Sequence, residues 1–174
     1  MFKRLFYWLK RLFRNELPHK EQVQIAKPKS EDPPWLRIAK AEIGTTEIPG
    51  PENSKRVLEY HLATSLKASD DSVAWCSSFV NWCFKEAGIK GSGKANARSW
   101  LNWGYPMKAP GIGCVVIFWR VSPKSWKGHI GLYVGEDDKY IYCLGGNQSN
   151  MVRVSKYSKE RLLGYRWPVI SDTI

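Results

Sequence analysis

Two periodicities divide the chain. From residue 34 to about 103 the apolar positions recur at helical spacing. Pro33 and Pro34 suit a helix start, Trp35, Leu36, Ile38, Ala39 and Ile43 continue it, and Gly44 is placed to close it. A second helix carries Val57, Leu58, Tyr60 and Leu62, with Asn53 in capping position. A third runs from about Ala74 to Ala87 and stops at Gly88. Phe79, Val80, Cys83, Phe84 and Ala87 form its apolar face. A short fourth covers Ala97 to Trp103. Beyond it the pattern becomes β-branched and aromatic: CVVIFWR (114–120), HIGLYVGE (129–136), KYIYCLG (139–145) and MVRVSKY (151–157) read as strands. Asp137 and Asp138 supply a tight turn between the second and third, and a last strand includes Tyr165 to Trp167. Helices first and a meandering antiparallel sheet second predict an α+β domain over residues 34–168, with 169–174 as a short tail.

Residues 1–17 have a different character. Phe2, Leu5, Phe6, Leu9, Leu12 and Phe13 share one face of a helical wheel, with Trp8 at its border. Lys3, Arg4, Lys10, Arg11 and Arg14 lie opposite, and Tyr7 sits among the bases. Pro18 ends the pattern. A basic face backed by a Phe/Leu/Trp face suits a helix lying in an anionic membrane or lipopolysaccharide surface. Packing onto the domain and targeting are the alternatives. Charges at Lys10 and Arg11 interrupt any secretory core, and no small-residue cleavage site follows. Residues 18–33 are polar, proline-bearing and aperiodic, as a linker would be.

Composition narrows the class. With 174 residues, 43% hydrophobic and 25% charged, the chain has the make-up of one globular domain. No apolar run reaches the ~18–20 residues a membrane span needs. The net charge of +11 implies a polyanionic partner. It divides into +6 over residues 1–30 and +5 over the rest, so the arm carries the excess. Because that excess accompanies a continuous apolar stripe, nucleic acid is not expected as the partner.

Candidate chemistry rests on few residues. Cys76, Cys83, Cys114 and Cys143 include no CxxC pair, so neither zinc nor redox spacing is present. Cys83, Cys114 and Cys143 occupy apolar positions in a helix or strands and read as buried packing residues. Their presence as thiols suits synthesis in a reducing compartment. Cys76 instead stands in the first turn of the third helix, after Ser69-Asp70-Asp71-Ser72. Helix N-terminal amides there would lower its pKa and donate to an oxyanion. Of three histidines, His19 is in the linker and His61 lies on a helix as a surface or packing residue. His129 opens a strand and is the candidate base. Asn147, after Gly145-Gly146 at the end of the next strand, would be brought beside His129 by strand pairing, where it would fix the imidazole tautomer. The same residues also permit a buried cysteine, a strand histidine and a turn asparagine with no chemistry. Trp75, Trp100, Trp103 and Trp126 are candidates for a substrate groove and equally for core. No calcium loop of the EF-hand type is present, and neither cofactor nor metal is expected.

AWCSSFVNWCFKEAG (74–88), GHIGLYVGE (128–136) and LGGNQSN (144–150) resemble the CHAP and NlpC-type cysteine peptidase/amidase superfamily, whose core is papain-like. A phage-associated branch is similar in the ARSWLNWG segment (97–104) and the closing LLGYRWP (162–168). The resemblance covers residues 34–168. It implies peptidoglycan cleavage with Cys76 as nucleophile, His129 as general base and then acid, and Asn147 as the residue that orients it. Many CHAP members carry Glu at the third position. Gly145 stands there in this chain, so only Asn147 carries over, with Gln148 as competitor. The turn before the first strand reads Pro110-Gly111-Ile112-Gly113, without the Asp found in many members. The implied protein is a monomeric endolysin. It is made in a host cytoplasm, acts at the cell wall, and cuts either the muramoyl–alanine amide or a stem-peptide bond. A weakly active wall-binding module with a permeabilising helix, or an interbacterial toxin, are the competing roles.

Overall fold

The computed structural model describes residues 32–169. The basic helix read over 1–17, nearly all of the linker, and most of the tail lie outside them. Three α-helices come first: α1 (Pro34–Ala41), α2 (Lys55–His61) and α3 (Cys76–Glu86). A 3-10 helix (Ala97–Asn102) follows. Six strands complete the domain: β1 (Tyr105–Met107), β2 (Val115–Trp119), β3 (Gly128–Glu136), β4 (Tyr140–Gly145), β5 (Arg153–Ser158) and β6 (Leu162–Trp167). They form one antiparallel sheet in the order β1-β6-β2-β3-β4-β5. This is the α+β architecture expected from the two periodicities. Among the described residues, no helix is long and apolar enough to cross a membrane.

Local chemistry accounts for the element ends. Pro34 takes the first helical position of α1, where its missing N–H costs nothing. Gly44, at φ +98°, closes the turn beyond α1 and donates to the Val152 carbonyl at 2.9 Å. Asn53 does not cap α2. Ser54 holds the N-cap position, and the Asn53 side chain accepts from the Asp71 amide at 2.8 Å. Asp71 in return accepts from the Ile48 and Ser54 amides, which fixes the turn ahead of α2. The segment read as a fourth α-helix is a 3-10 helix capped by Asn96, whose side chain accepts from the Arg98 amide. The Asp137 carboxylate closes the β3–β4 hairpin by accepting from the Lys139 and Tyr140 amides. Strand β1 carries no periodic signal. It has three residues and pairs only with β6.

Helix α3 is the centre of the domain. Its first nine residues are all buried, including Ser77, Ser78 and Asn81, so it has no solvent face of the kind a one-sided apolar stripe predicts. Each polar side chain is satisfied internally, as burial requires. Ser77 donates to the Lys94 carbonyl and accepts from the Trp100 indole. Asn81 bonds the Ser77 carbonyl and the Gly93 amide. Ser78 meets His61 Nδ1 at 3.1 Å. The sheet separates two apolar clusters. Val115, Ile117, Ile130, Leu132 and Leu144 face the helices. Cys114, Val116, Phe118, Tyr133, Ile141, Cys143 and Tyr165 make a smaller cluster on the other face. Because β2 is buried on both faces, it reads as an unbroken apolar run.

Candidate active site

Cys76 is the first residue of α3, with Trp75 at the N-cap, and it is 8% exposed. The backbone amides of Ile130 and Ser77 lie near enough to its sulfur to favour the thiolate. Ile130 follows His129 on β3, so the thiol sits against the strand that carries the histidine. Burial pushes the thiol pKa up; these amides and the positive charge of Arg120 act downward but do not win. The expectation of a lowered thiol pKa is therefore corrected. A helix N-terminus favours a thiolate only to the extent that the sulfur is not also stripped of water.

His129 alternates with Ile130 and faces the second cluster. Its ring stacks on Tyr157 at 4.8 Å and 19°, and Tyr157 stacks on Phe118. His129 is 4% exposed, and burial pushes its pKa down to about 4. Its Nε2 lies 3.2 Å from Gln148 Oε1. The amide orientation of Gln148 is set by its other contacts. Its nitrogen donates to the carbonyls of Cys143, Gly145 and Arg153, and its oxygen also accepts from the Tyr157 hydroxyl at 2.8 Å. An amide oxygen can only accept, so Nε2 of His129 carries the proton and Nδ1 keeps the lone pair. Nδ1 has no hydrogen-bond partner among the described residues, and no Cys76–His129 hydrogen bond is present among them. In ligand-free sites such bonds commonly tighten only when substrate binds.

Gln148, not Asn147, reaches the imidazole. Extending the β3–β4 register would set residue 147 opposite residue 129, but β4 ends at Gly145. The chain then enters a tight loop in which Asn147, Ser149 and Asn150 all have positive φ. Inside that loop Gln148 is 3% exposed, whereas Asn147 is half-buried on the cavity wall. Gly146 brings the loop onto the helix. A Cβ there would lie 2.5 Å from the Trp75 ring and 2.7 Å from Phe79 Cβ, so only glycine permits the approach.

Two cavities flank the cysteine and the histidine. One, of about 370 Å³, is lined by Cys76, Asn96, Val121, Trp126 and Lys127 among others. The second, of about 200 Å³, is lined by His129, Asn147, Gln148, Tyr157 and Arg161 among others. Arg120 lines both. Of the four candidate tryptophans, Trp75 and Trp100 are fully buried core residues, with indoles bonded to Glu47 and Ser77. Trp103 packs partly buried on Phe84 and Trp100. Only Trp126, 71% exposed, stands in the Cys76 cavity. Cys83, Cys114 and Cys143 are fully buried, as packing positions should be, and His61 is buried between α2 and α3. No group of three or more His, Cys, Asp or Glu side chains clusters to hold a metal among the described residues. Tyr157 and Arg120 escaped the sequence reading. A strand tyrosine reads as β-propensity, and an arginine after a strand reads as surface.

A helix-borne cysteine, a buried strand histidine and an amide that holds its tautomer thus line two adjoining cavities of an α+β frame. Residues 68–147, which contain Cys76 and His129, match the family model of the CHAP domain. Over that stretch, a little under half of the chain, the protein is similar to the CHAP domain, which supports a function of the peptidoglycan-hydrolase type. Gln148 lies one residue beyond the matched stretch. No curated protein matches the sequence. Among solved structures, the chain is similar to the P60 domain of an antigen from M. avium paratuberculosis. That match has 16% identity and a TM-score of 0.46, and it covers 79% of this chain and 91% of that one. A Staphylococcus aureus protein described as similar to lipoprotein, NLP/P60 family, matches at 15% identity and TM-score 0.39, over 72% of this chain and 46% of that one.

Proposed function

We propose that this protein hydrolyses an amide bond of peptidoglycan through Cys76, His129 and Gln148. The observation that carries the reading is the Gln148–His129 hydrogen bond, which leaves the imidazole neutral with its lone pair on Nδ1. Cysteine and histidine are both neutral at pH 7, so no ion pair is stored in the resting site. The thiol proton passes to His129 Nδ1 as Sγ bonds to the amide carbonyl carbon, and the carbonyl electron pair moves to oxygen. The Cys76 amide at the head of α3 donates to that oxyanion. Collapse breaks the C–N bond, and His129 returns the proton to the leaving amine. A water then gives its proton to His129 and attacks the thioester, which releases the acid and restores the thiol. The Gln148 oxygen stabilises the imidazolium in both halves, as the orienting group of a triad does.

The same reading extends to residues 1–17 as a membrane-surface helix, 18–33 as a linker, and 34–168 as the catalytic domain of a phage endolysin. Of the candidate tryptophans, Trp126 is the one we assign to substrate contact, because it is exposed on the wall of the Cys76 cavity. Purified peptidoglycan incubated with the protein, followed by mass spectrometry of released fragments, tests the chemistry. New paired amine and carboxyl termini, absent with Cys76→Ala, are expected. Equal release by Cys76→Ala would overturn the mechanism. Deleting residues 1–17 should leave hydrolysis of purified wall intact while reducing lysis of whole cells. Equal loss in both assays would instead mean that the segment packs on the domain.

A further inference from the structure

We propose that Arg120 makes the enzyme selective for substrates bearing a free carboxylate beside the scissile amide. The proposal rests on the hydrolase reading above and adds a substrate class to it. Arg120 follows the last residue of β2, and its backbone is pinned by bonds to the Lys127 carbonyl at 3.2 Å and the Ser122 amide at 2.9 Å. Its side chain is exposed and is, among the described residues, the one shared by the walls of the Cys76 and His129 cavities. Among the described residues neither cavity wall contains an Asp or Glu, and the other cations on the walls are Lys127 and Arg161.

The guanidinium of Arg120 has no hydrogen bond, ion pair or ring partner among the described residues. Three other arginines are occupied: Arg56 grips Glu42, Arg98 bonds three backbone carbonyls, and Arg161 lies over the Trp119 ring. A planar, permanently charged fork with two parallel donors matches an oxyacid. Among the described residues its donors are unpaired, and they stand where the linings of the two cavities meet. Its charge is felt by both Cys76 and His129, which places it within electrostatic reach of the bond being cut. The next residue sharpens the position. Val121, a β-branched residue, is held at φ +71° with 80% of its surface exposed, beside the exposed Trp126. An apolar wall therefore flanks the cation, as an acidic peptide with a nonpolar neighbour would need.

The test uses soluble muropeptides with their carboxyl groups either free or converted to primary amides. Titrated calorimetrically into the full-length Cys76→Ala protein, the free form should bind at least roughly tenfold tighter, the worth of one charge-assisted hydrogen bond. Adding Arg120→Gln should bring the two affinities together, and Arg120→Lys should keep part of the difference. In the active protein, Arg120→Gln should collapse the kcat/KM ratio between the two forms toward one. Equal affinity of the Cys76→Ala protein for both forms, binding of neither, or a preference that survives Arg120→Gln would overturn the proposal. So would Arg120→Gln slowing both forms equally with the ratio unchanged, which is the mark of an oxyanion donor. If the binding preference is present but the active protein releases no fragments, the hydrolase reading fails while the carboxylate site stands.

Discussion

Replacing Gln148 and Asn147 separately discriminates between the two ways of completing the site. Gln148→Ala removes the acceptor on His129 Nε2 and the partner of the Tyr157 hydroxyl, and strips one donor from three carbonyls. At 3% exposure water has little access, and each orphaned donor costs about 1–3 kcal/mol. Partial relaxation of the loop leaves a net loss of about 2–4 kcal/mol, readable as a lower urea midpoint at constant slope. The chemical effect is larger. Without an acceptor on Nε2 the proton is free to move to Nδ1, and the imidazole loses its base. Loss of the group that sets a catalytic tautomer costs roughly 10²–10⁴-fold in rate. The control is Asn147→Gly, which deletes the side chain yet tolerates φ +53°. It should change kcat/KM on wall fragments by less than roughly threefold. Long-range proton–nitrogen NMR on ring-labelled protein should place the His129 proton on Nε2 in the parent and in Asn147→Gly, but not in Gln148→Ala. If Asn147→Gly loses the larger factor and Gln148→Ala the smaller, the assignment made from the hydrogen bonds is wrong.

Acid should weaken the fold before it stops the chemistry. Above pH 6.5 both folded and unfolded chains hold His129 neutral. Between 6.5 and about 4 only the unfolded chain takes the proton, so stability is lost as pH falls through that window, by about 3 kcal/mol in all. His61, also shifted down by burial, adds to the loss in the same direction. The acid limb of kcat/KM should fall near pH 4, and a limb at 6.5 or above would contradict a buried neutral base. Tyr157→Phe should keep the stack on His129 while losing one hydrogen bond to Gln148, with a cost of about 1 kcal/mol and a several-fold lower rate. Tyr157→Ala should lose much more in the same assays. Gly146→Ala should destabilise by about 1–3 kcal/mol and slow hydrolysis, since its Cβ would push the loop off Trp75 and Phe79. A fully stable, fully active Gly146→Ala protein would mean that the loop is not held by that contact.

The order of elements was legible in the residues because periodicity is local. A 3.6-residue pattern up to Trp103 and β-branched runs after Cys114 are visible without knowing what packs against them. The candidate nucleophile and base were legible for a related reason: a cysteine heading a helix and a histidine opening a strand are placed by their own elements. The third residue was not. Asn147 and Gln148 are neighbours in one loop. Which of them turns inward depends on where β4 stops pairing, on positive φ at Asn147, and on the close approach to Trp75 and Phe79 that Gly146 permits. The ionisation of Cys76 was likewise out of reach. Its helix position argues for a lowered pKa, but the water-excluding wall built from β3 and α3 raises it. Helix α3 makes the same point through Ser77, Ser78 and Asn81, polar residues that look exposed until the 91–96 loop, Trp100 and His61 supply their partners. Sequence alone thus determined the class of fold and the placement of two candidate groups, since each rests on short-range pattern. Tertiary structure decided which amide holds the histidine, how buried the thiol is, and that Arg120 stands unpaired among the described residues between two cavities, because burial and pairing are properties of residues far apart in the chain.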